Sequence, residues 1–399
     1  MKIIVVGHGM VGHKFLEELQ SLAAAPTEVT VLCEEPRAAY DRVHLSEFFA
    51  GKSADDLSLV EPGFFDKTGF ALRLNTRATA IDRRKKTVTT AEGEVLPYDK
   101  LVLATGSVPF VPPVKGNDRA DCFVYRTIED LEAMTECGAR SKTGVVVGGG
   151  LLGLECAKAL RDLGLETHVV EFAPRLMAVQ VDDDGGRILR SKIEELGVKV
   201  HTSRNTVEIV DGARARHRMV FADGSYLETD MIVFSAGIRP RDELARQNAL
   251  AVGARGGVAV NDHCGTSDPD IYAIGECAAW KDMVYGLVAP GYDMARVVAR
   301  MLICSMVETS SCPLTTRSAP STGSADTPAA LSACLRTSLR QARARSLCGL
   351  PTGAAPVFTR RSPARAAPAR TSARSRSCRR RARPRRSRAR RLPGRSPTA

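Results

Sequence analysis

The sequence lacks the features that would mark a secreted, membrane-spanning or metal-binding protein. Its eleven cysteines are scattered, with no C-x-x-C pair and no metal-ligand spacing, which argues against a disulfide scaffold and against a metal site. No apolar run approaches the roughly 18 residues that cross a membrane. The apolar residues Ile3–Val6 are too few for a signal-peptide core, and a glycine follows at once. We therefore predict a cytoplasmic protein with no membrane partner.

Lysine is missing from the last quarter of the chain, although the net positive charge of the protein comes from that part. Residues 303–399 contain 21 arginines and two acids, a net charge of +19, whereas residues 1–302 carry −7. The overall charge of +12 is therefore not the charge of a basic folded domain. Residues 303–399 also contain a single aromatic residue, Phe358. A segment with so little apolar surface cannot offset its chain entropy, so we predict that it is disordered.

Up to about residue 300, short β-branched runs alternate with longer helical patterns, which predicts an α/β fold. The pattern of strand, helix and strand occurs twice, about 140 residues apart, at Ile3–Val6, Met10–Leu19 and Glu28–Leu32, then at Val145–Val147, Leu151–Leu163 and Thr167–Val170. Further strands are predicted at Leu101–Ala104, Met231–Phe234 and Ile271–Ile274. The repeat predicts two domains of the same kind.

A G-x-G-x-x-G motif follows the first strand, at Gly7–Gly12. The first glycine allows the tight turn, the second lets the backbone approach a pyrophosphate, and the third lets helix and strand pack closely. The helix that starts there directs its amino terminus at the phosphates. Glu34 and Glu35 follow the next strand, where an acid accepts hydrogen bonds from ribose hydroxyls. Strand, motif and acid together predict a dinucleotide site.

The second unit repeats this arrangement at Gly148–Gly153, with Glu155 two residues further on and Glu171 after the next strand. Two motifs imply two dinucleotides, of which a flavin and a nicotinamide are the obvious pair. A carboxylate at Glu171 would bind a free 2′-hydroxyl and repel a 2′-phosphate, which favours NADH. Arg175 is close enough in sequence to keep NADPH as an alternative.

These motifs resemble the two-dinucleotide-binding-domain flavoproteins of the glutathione reductase fold. Three short stretches carry the likeness: Ala104-Thr105-Gly106, Gly237-Ile238-Arg239-Pro240 and Tyr272-Ala273-Ile274-Gly275-Glu276. Longer stretches resemble the large subunits of NAD(P)H-dependent assimilatory nitrite reductases: Cys33–Ser46, Asp121–Leu131, Val146–Glu155, Glu166–Met177, Thr266–Trp280 and Gly286–Ala295. This likeness runs from Met1 to about Met301.

The resemblance implies a domain order and a set of cofactor contacts. It predicts an FAD domain at 1–115 and 237–302 with an NAD(P)H domain at 116–236 inserted between them, and a tail at 303–399. Together with the motifs, it predicts FAD contacts at Gly7, Gly9, Met10, Val11, Gly12, Glu34, Glu35, Arg42, Ala78, Ala104, Thr105, Gly106, Arg126, Gly237, Gly275, Glu276 and Val288. It predicts NAD(P)H contacts at Gly148, Gly150, Leu152, Gly153, Glu155 and Glu171. Glu276 stands where the family has Asp, and we expect it to hold the ribityl chain.

Members of this fold that reduce disulfides or peroxides keep a cysteine beside the flavin, but Tyr40–Gly51 contains none. The resemblance therefore implies that FAD passes electrons directly to another acceptor. We assign no catalytic residue, because hydride transfer from nicotinamide to flavin needs no protein acid. His8 and His44 are expected to be polar lining residues, and Cys33 a packing residue.

The expected function is an NADH-dependent FAD reductase module that delivers electrons toward nitrite reduction. The family's iron–sulfur and sirohaem acceptor domains are missing from this chain, and a small subunit is a possible partner. The likeness ends near residue 302 within a predicted helix, and the following Arg, Ala, Pro and Ser-rich composition suggests a frame-shifted translation. The alternatives are a stand-alone NADH–rubredoxin or ferredoxin reductase, a nucleic-acid-binding protein using the arginines of Cys378–Arg391, and a non-functional truncated product.

Overall fold

The computed structural model describes residues 1–22 and 27–310. The expectations for the arginine-rich tail concern residues that lie almost entirely outside these ranges. Within the described part of the chain, no helix is both long enough and apolar enough to cross a membrane.

The secondary structure alternates strands and helices as the sequence pattern predicts. The strands are β1 (Lys2–Val6), β2 (Glu28–Leu32), β3 (Ala71–Arg73), β4 (Ala78–Asp82), β5 (Thr87–Thr90), β6 (Val95–Pro97), β7 (Lys100–Leu103), β8 (Ser107–Pro109), β9 (Cys122–Val124), β10 (Thr143–Val147), β11 (Glu166–Val170), β12 (Lys199–His201), β13 (Thr206–Asp211), β14 (His217–Phe221), β15 (Tyr226–Thr229), β16 (Met231–Phe234), β17 (Ile238–Pro240), β18 (Val258–Val260), β19 (Ile271–Ala273) and β20 (Ala278–Trp280). The helices are α1 (Met10–Leu22), α2 (Phe64–Thr68), α3 (Ile128–Gly138), α4 (Leu151–Asp162), α5 (Asp183–Glu195), α6 (Glu243–Gln247) and α7 (Val288–Ser310), and 3₁₀ helices lie at Leu45–Ala50 and Gly275–Cys277.

Two five-stranded parallel sheets form the framework. The first has the order β19-β7-β1-β2-β3 and the second the order β12-β11-β10-β16-β9. Their central strands are almost continuously apolar because helices or loops cover both faces. All residues of β16 and four of the five in β1 are buried. The sequence repeat thus corresponds to two sheets of the same topology type.

Smaller antiparallel sheets accompany each large sheet. Strands β4, β5 and β6 form one, β13, β14 and β15 form another, and β8 pairs with β17. The β8–β17 ladder joins residues that lie on either side of the second sheet's strands in sequence. It therefore connects the two halves of the predicted flavin domain, as an inserted domain requires.

Separate hydrophobic cores support the two sheets. The first core surrounds the first sheet and includes Phe15, Leu16 and Leu19 of α1 together with Val298 and Leu302 of α7. The second core lies between the second sheet, α3 and α4, and includes Tyr125, Leu131 and Leu160. Phe48 and Phe49, from the 3₁₀ helix at Leu45–Ala50, pack against the second core. The segment Leu45–Ala50, which belongs to the first part of the predicted FAD domain, therefore packs on the core of the second sheet.

Each predicted strand and helix is present, with bounds within three residues of those expected. The final helix extends beyond Leu302 to Ser310, so the first eight residues of the predicted tail are helical. The strands of the second large sheet all lie within 116–236. The proposed domain limits themselves stay a prediction.

The start of α3 fixes the backbone that follows β9. Thr127 is the N-cap, and its hydroxyl accepts a hydrogen bond from the Asp130 amide at 3.3 Å. The Asp130 carboxylate in turn accepts from the amides of Thr127, at 2.8 Å, and Arg126, at 3.1 Å. This reciprocal capping box satisfies donors that the first turn of a helix leaves free.

Removing the cap should lower stability by a small, measurable amount. We expect Thr127→Ala to reduce the free energy of unfolding by about 1 kcal/mol, because it removes the acceptor for the Asp130 amide. Urea unfolding monitored by circular dichroism measures the change. Thr135→Ala is the matched control, since that hydroxyl donates to the Leu131 carbonyl within the same helix. Equal losses in the two variants would contradict a special role for the cap.

Candidate dinucleotide sites

The first glycine-rich turn joins β1 to α1 in a space that only glycine can occupy. Gly7 has a φ of +106°, and a Cβ there would overlap the carbonyl oxygen of Ala104 at the end of β7. A Cβ on Gly12 would overlap the carbonyl oxygen of Gly7. In contrast, a Cβ on Gly9 would have no heavy atom within 4 Å. The protein therefore closes tightly around Gly7 and Gly12 and leaves the backbone at Gly9 open to a ligand.

Most of the remaining predicted FAD residues lie at or near the same edge of the first sheet. The strands β2, β1, β7 and β19 are adjacent and parallel, so Glu34, the Gly7 turn, Thr105 and Gly275 all follow carboxyl ends. Ligands of open α/β sheets bind at this edge. Met10 begins α1 and Val288 begins α7. A Cβ on Gly291 would lie 2.5 Å from Cγ2 of Val11, so α7 packs closely on the start of α1.

Arg126, Glu276 and Ser107 form a polar cluster at this edge. Arg126 Nη2 donates to Glu276 Oε2 at 3.2 Å, and Ser107 Oγ donates to the same oxygen at 2.6 Å. Burial lowers the pKa of Arg126, and the Glu276 carboxylate opposes that effect. Glu276 is 150 positions from Arg126 and 169 positions from Ser107 in the sequence. The other carboxylate oxygen of Glu276, Oε1, lies on the side of Gly286. Ser107 was not predicted, although it directly follows the predicted Ala104–Gly106 turn.

The two acids after β2 lie in different ion pairs. Glu35 accepts hydrogen bonds from Arg42 and, at 2.9 Å, from the Tyr40 hydroxyl. Arg42 also donates to the carbonyl of Arg126 at 3.0 Å, which connects it to the polar cluster. Glu34 pairs with Arg241, which the sequence analysis missed even though it immediately follows the predicted Gly237–Pro240 stretch.

Ala78 and Gly237 lie at the margins of this arrangement. Ala78 begins β4 in a separate antiparallel sheet, but its neighbour Arg77 approaches Glu34 to 4.0 Å. Gly237 has a φ of +108°, and its carbonyl accepts from the Phe110 amide at 2.8 Å, beside the β8–β17 ladder. The structure therefore places both near the strand ends without making them part of the polar cluster.

The second glycine-rich turn, between β10 and α4, repeats the geometry of the first. Gly148 has a φ of +120°, and a Cβ there would overlap the carbonyl oxygen of Ser235 at the end of β16. A Cβ on Gly153 would overlap the carbonyl oxygen of Gly148. Gly150 is the N-cap of α4, with no side-chain cap and no heavy atom within 4 Å of an added Cβ. The first amides of α4 are therefore open to an anion.

Glu171 is held by the backbone of this turn. Its Oε2 accepts from the Gly149 amide at 2.5 Å, and its Oε1 accepts from the Ala173 amide at 2.7 Å. Arg175 is the residue that could pair with the 2′-phosphate of NADPH, but its guanidinium is bound to other groups. Its guanidinium donates to the carbonyls of Val181 and Ala178 and pairs with Asp183 at 2.7 Å.

Glu155 and Leu152 lie on the first turns of α4. Leu152 packs against the second core, whereas the Glu155 carboxyl is half-buried. Burial raises the pKa of Glu155, and the neighbouring His44 imidazole opposes that effect. His44 is itself paired with Asp41, with Nδ1 and Oδ2 2.6 Å apart, and this hydrogen bond raises the pKa of His44.

No thiol or histidine among the described residues is arranged for redox or acid–base work at the first site. Cys33 is buried, and burial raises the pKa of its thiol to about 11, so it is neutral. His8 is buried and accepts a hydrogen bond from the Ala39 amide at 3.1 Å. Burial lowers the pKa of His8 to about 3, so its imidazole is uncharged and cannot act as an imidazolium acid.

The residues present fit the two cofactors that the motifs predict. Each glycine turn is closed on the protein side and open at its middle glycine, which leaves room for a pyrophosphate. Carboxylates suited to ribose hydroxyls follow the neighbouring strand in both cases, as Glu34 and Glu35 in one and Glu171 in the other. Such a pair of sites defines an oxidoreductase that binds two dinucleotides.

Comparison with known proteins assigns the family. The model for the pyridine nucleotide-disulphide oxidoreductase family matches residues 1–299, and the chain belongs to this family. It is therefore an NAD(P)H-dependent oxidoreductase that uses FAD, and the predicted fold class is confirmed. A ferredoxin reductase from Rhodopseudomonas palustris has the same fold, with a TM-score of 0.71 and 29% identity over 76% of each chain.

Curated relatives extend the comparison. The chain is 58% identical over 307 residues to the nitrite reductase (NADH) large subunit of Escherichia coli (strain K12), which covers 76% of this chain and 36% of that protein. It is 31% identical to the rubredoxin-NAD(+) reductase of Pseudomonas putida, covering 72% of this chain and 74% of that protein. The chain thus spans about a third of the nitrite reductases that it matches.

Two glycine substitutions should separate ligand binding from folding. Gly9→Ala adds a methyl group where no protein atom lies within 4 Å, so we expect unchanged stability of the apoprotein but weaker FAD retention. Gly12→Ala forces a methyl group against the Gly7 carbonyl, so it should destabilise the fold itself, by about 1–3 kcal/mol. Melting of the apoprotein and equilibrium FAD titration measure the two effects. A Gly9→Ala variant that binds FAD as tightly as the parent would refute the placement of the ligand.

Proposed function

We propose that this chain is the NADH-oxidising FAD module of a nitrite reductase large subunit. Its electrons would go to an iron–sulfur or sirohaem acceptor outside the described residues. The observation that carries the proposal is the 58% identity to the Escherichia coli large subunit, because the 307 matched residues are enough to include both glycine-rich turns. The match covers only 36% of that protein's length. We therefore propose only the oxidation of NADH and the delivery of electrons for this chain, and not nitrite reduction as a whole.

The protein's part in such a reaction is to bind and orient. The chemistry that FAD would supply here is the conversion of a hydride from the nicotinamide into single electrons for the acceptor. Glu34, Glu35 and Glu276 supply acceptors for hydroxyl groups of FAD, and Arg126 holds Glu276 in place. The turn at Gly148–Gly153 and the α4 amides would receive the nicotinamide dinucleotide's pyrophosphate.

We infer NADH rather than NADPH as the donor. The negative charge of Glu171 is fixed beside the Gly149 amide, where a 2′-phosphate would be repelled. Arg175 would have to give up three hydrogen-bonded partners to neutralise that phosphate. The relative in Escherichia coli is named for NADH, which agrees with this inference.

Direct transfer from FAD to a one-electron acceptor follows from the lack of a thiol in Tyr40–Gly51. Within this segment, directly before the 3₁₀ helix at Leu45–Ala50, the polar side chains of Asp41 and His44 are paired with each other. A thiol-free site has no means of storing the two electrons as a dithiol. The family name therefore describes chemistry that we do not propose for this chain.

A second candidate is a stand-alone reductase for rubredoxin or a ferredoxin. The observation that favours it is the length of the match, since the chain covers 74% of the rubredoxin-NAD(+) reductase of Pseudomonas putida. Anaerobic assays with rubredoxin as the acceptor distinguish the two, because fast NADH-dependent turnover would favour this candidate. The cytoplasmic location and the small-subunit partner stay predictions, and nucleic-acid binding by the arginine-rich tail stays an untested alternative.

The first experiment is an anaerobic absorbance spectrum of the purified protein before and after NADH is added. We expect a flavin spectrum that bleaches fully with one equivalent of NADH, because we propose that the two glycine-rich turns hold FAD and NADH. Photoreduction of the same sample provides the reference spectrum of the reduced flavin. A protein that contains FAD but is not reduced by NADH would contradict the proposal.

Replacing the Glu171 charge should reduce the preference for NADH. Glu171→Gln keeps the size of the side chain and removes its negative charge, so the Kd for NADP+ should fall by roughly tenfold relative to that for NAD+. Calorimetric titrations of both nucleotides measure the ratio. Glu166→Gln, at the opposite end of β11, is the matched control and should leave the ratio unchanged. An unaltered ratio in Glu171→Gln would mean that another group sets the specificity.

A further inference from the structure

His8 lies between the first two glycines of the first glycine-rich turn, and its side chain is buried in the protein. The residue is only 4% exposed, although the backbone at the next position, Gly9, is open. Its imidazole makes T-shaped contacts with His13 of α1, with ring centroids 5.4 Å apart, and with Phe65 of α2, with centroids 5.5 Å apart. A polar ring in such surroundings costs free energy unless it is hydrogen-bonded.

One nitrogen of this ring has a hydrogen-bond partner. Nδ1 of His8 accepts from the Ala39 amide at 3.1 Å, whereas Nε2 has no partner among the described residues. Because a backbone amide can only donate, Nδ1 carries no proton and the neutral ring has its proton on Nε2. A proton on Nδ1 would place two donors against each other. The imidazole therefore connects the glycine-rich turn to Ala39 only while it is neutral.

The amide that His8 binds belongs to the segment 39–42. This segment also pairs through its backbone with residues 57–59. The Ala39 carbonyl accepts from the Leu59 amide at 3.0 Å, and the Asp41 amide donates to the Leu57 carbonyl at 2.8 Å. Backbone bonds thus hold the segment to residues 57–59, and the His8 side chain holds it to the glycine-rich turn.

The side chains of this segment contact residues that are predicted to bind FAD. The Tyr40 hydroxyl donates to Glu35 at 2.9 Å, and the Arg42 guanidinium pairs with the same carboxylate. Arg42 also donates to the Arg126 carbonyl at 3.0 Å and lies over the Tyr40 ring, 4.7 Å from its centroid. A shift of the segment would therefore move the partners of two predicted FAD residues.

We propose that His8 is a positioning residue for FAD: its imidazole holds the segment 39–42 in the place from which Arg42 contacts Glu35. Loss of the acceptor would leave a buried amide without a partner, and the segment would gain freedom. Binding of FAD would then have to order the segment, which weakens the affinity. The inference rests on the proposed function only in taking the turn at Gly7–Gly12 as the FAD site.

Two variants of matched shape isolate this hydrogen bond. His8→Asn keeps an acceptor, because Oδ1 of Asn is as many bonds from the backbone as Nδ1 of His, and His8→Leu has the same shape as Asn without the acceptor. We expect the Kd of the full-length apoprotein for FAD to stay within about twofold of the parent in His8→Asn and to rise about tenfold in His8→Leu. Fluorescence titration with FAD measures both. The control is His217→Leu, which removes a buried imidazole from β14 and should leave this Kd unchanged.

Equal Kd values for His8→Asn and His8→Leu would overturn the proposal, because the acceptor would then make no difference. If the parent apoprotein does not bind FAD, the proposed function fails and this inference with it. If the parent and His8→Leu bind FAD equally well, only the role of His8 is refuted.

A double-mutant cycle shows whether His8 acts through the segment 39–42. In an Arg42→Ala background, the Kd difference between His8→Asn and His8→Leu should shrink to about twofold, because the segment no longer contacts Glu35 through Arg42. A difference that stays tenfold would mean that His8 acts by another route, and the proposal would be wrong.

The pH dependence of unfolding provides a readout that needs neither His8→Leu nor FAD. Burial and the neighbouring His13 lower the pKa of His8 to about 3, and Glu17, Lys14 and Glu61 act in turn on His13. The pKa of an unfolded histidine is about 6.5, so His8 takes up a proton on unfolding below that pH, and stability falls with it. From about pH 6 to pH 4, the unfolding equilibrium constant of the parent should rise about tenfold per pH unit relative to that of His8→Asn. Urea unfolding measures the ratio, and a ratio independent of pH would contradict a neutral, buried acceptor.

Discussion

The close approach of each glycine-rich turn to the end of a neighbouring strand is the constraint on which both sites depend. Gly7 lies against the Ala104 carbonyl and Gly148 against the Ser235 carbonyl, each too closely for any side chain. The third glycine of each motif then packs on the first. Because each turn lies this close to the strand end, the following helix begins beside that end with its first amides available to a phosphate.

Distant parts of the chain come together at the carboxyl edge of the first sheet. Parallel strands end on the same side, so residues near positions 34, 105 and 275 become neighbours although long connections separate them. Ion pairs then close the arrangement: Arg241 meets Glu34, Arg42 meets Glu35 and Arg126 meets Glu276. These pairs hold carboxylates that would otherwise repel one another at a single edge.

The two sites differ in how completely their polar groups are paired. Every predicted carboxylate of the first site already has an arginine partner. At the second site Glu171 is fixed by backbone amides, while Glu155 makes no hydrogen bond or salt bridge among the described residues. A preformed site suits a cofactor that stays bound, and an incompletely paired one suits a substrate that enters and leaves at each turnover.

The sequence by itself determined the strands, the helices and both glycine turns, because those depend on local periodicity and on glycine's freedom at positive φ. It also pointed to the acids after each strand, since their spacing from the turn is local. Only the tertiary structure revealed that Ser107 contacts Glu276 and that Arg241 contacts Glu34. These contacts join residues more than a hundred positions apart, and such contacts leave no periodic signal in the chain. The unusual Glu276 could be read from its motif, but its pairing with Arg126 became evident only from the structure, because Arg126 follows a strand of the second sheet and Glu276 a strand of the first.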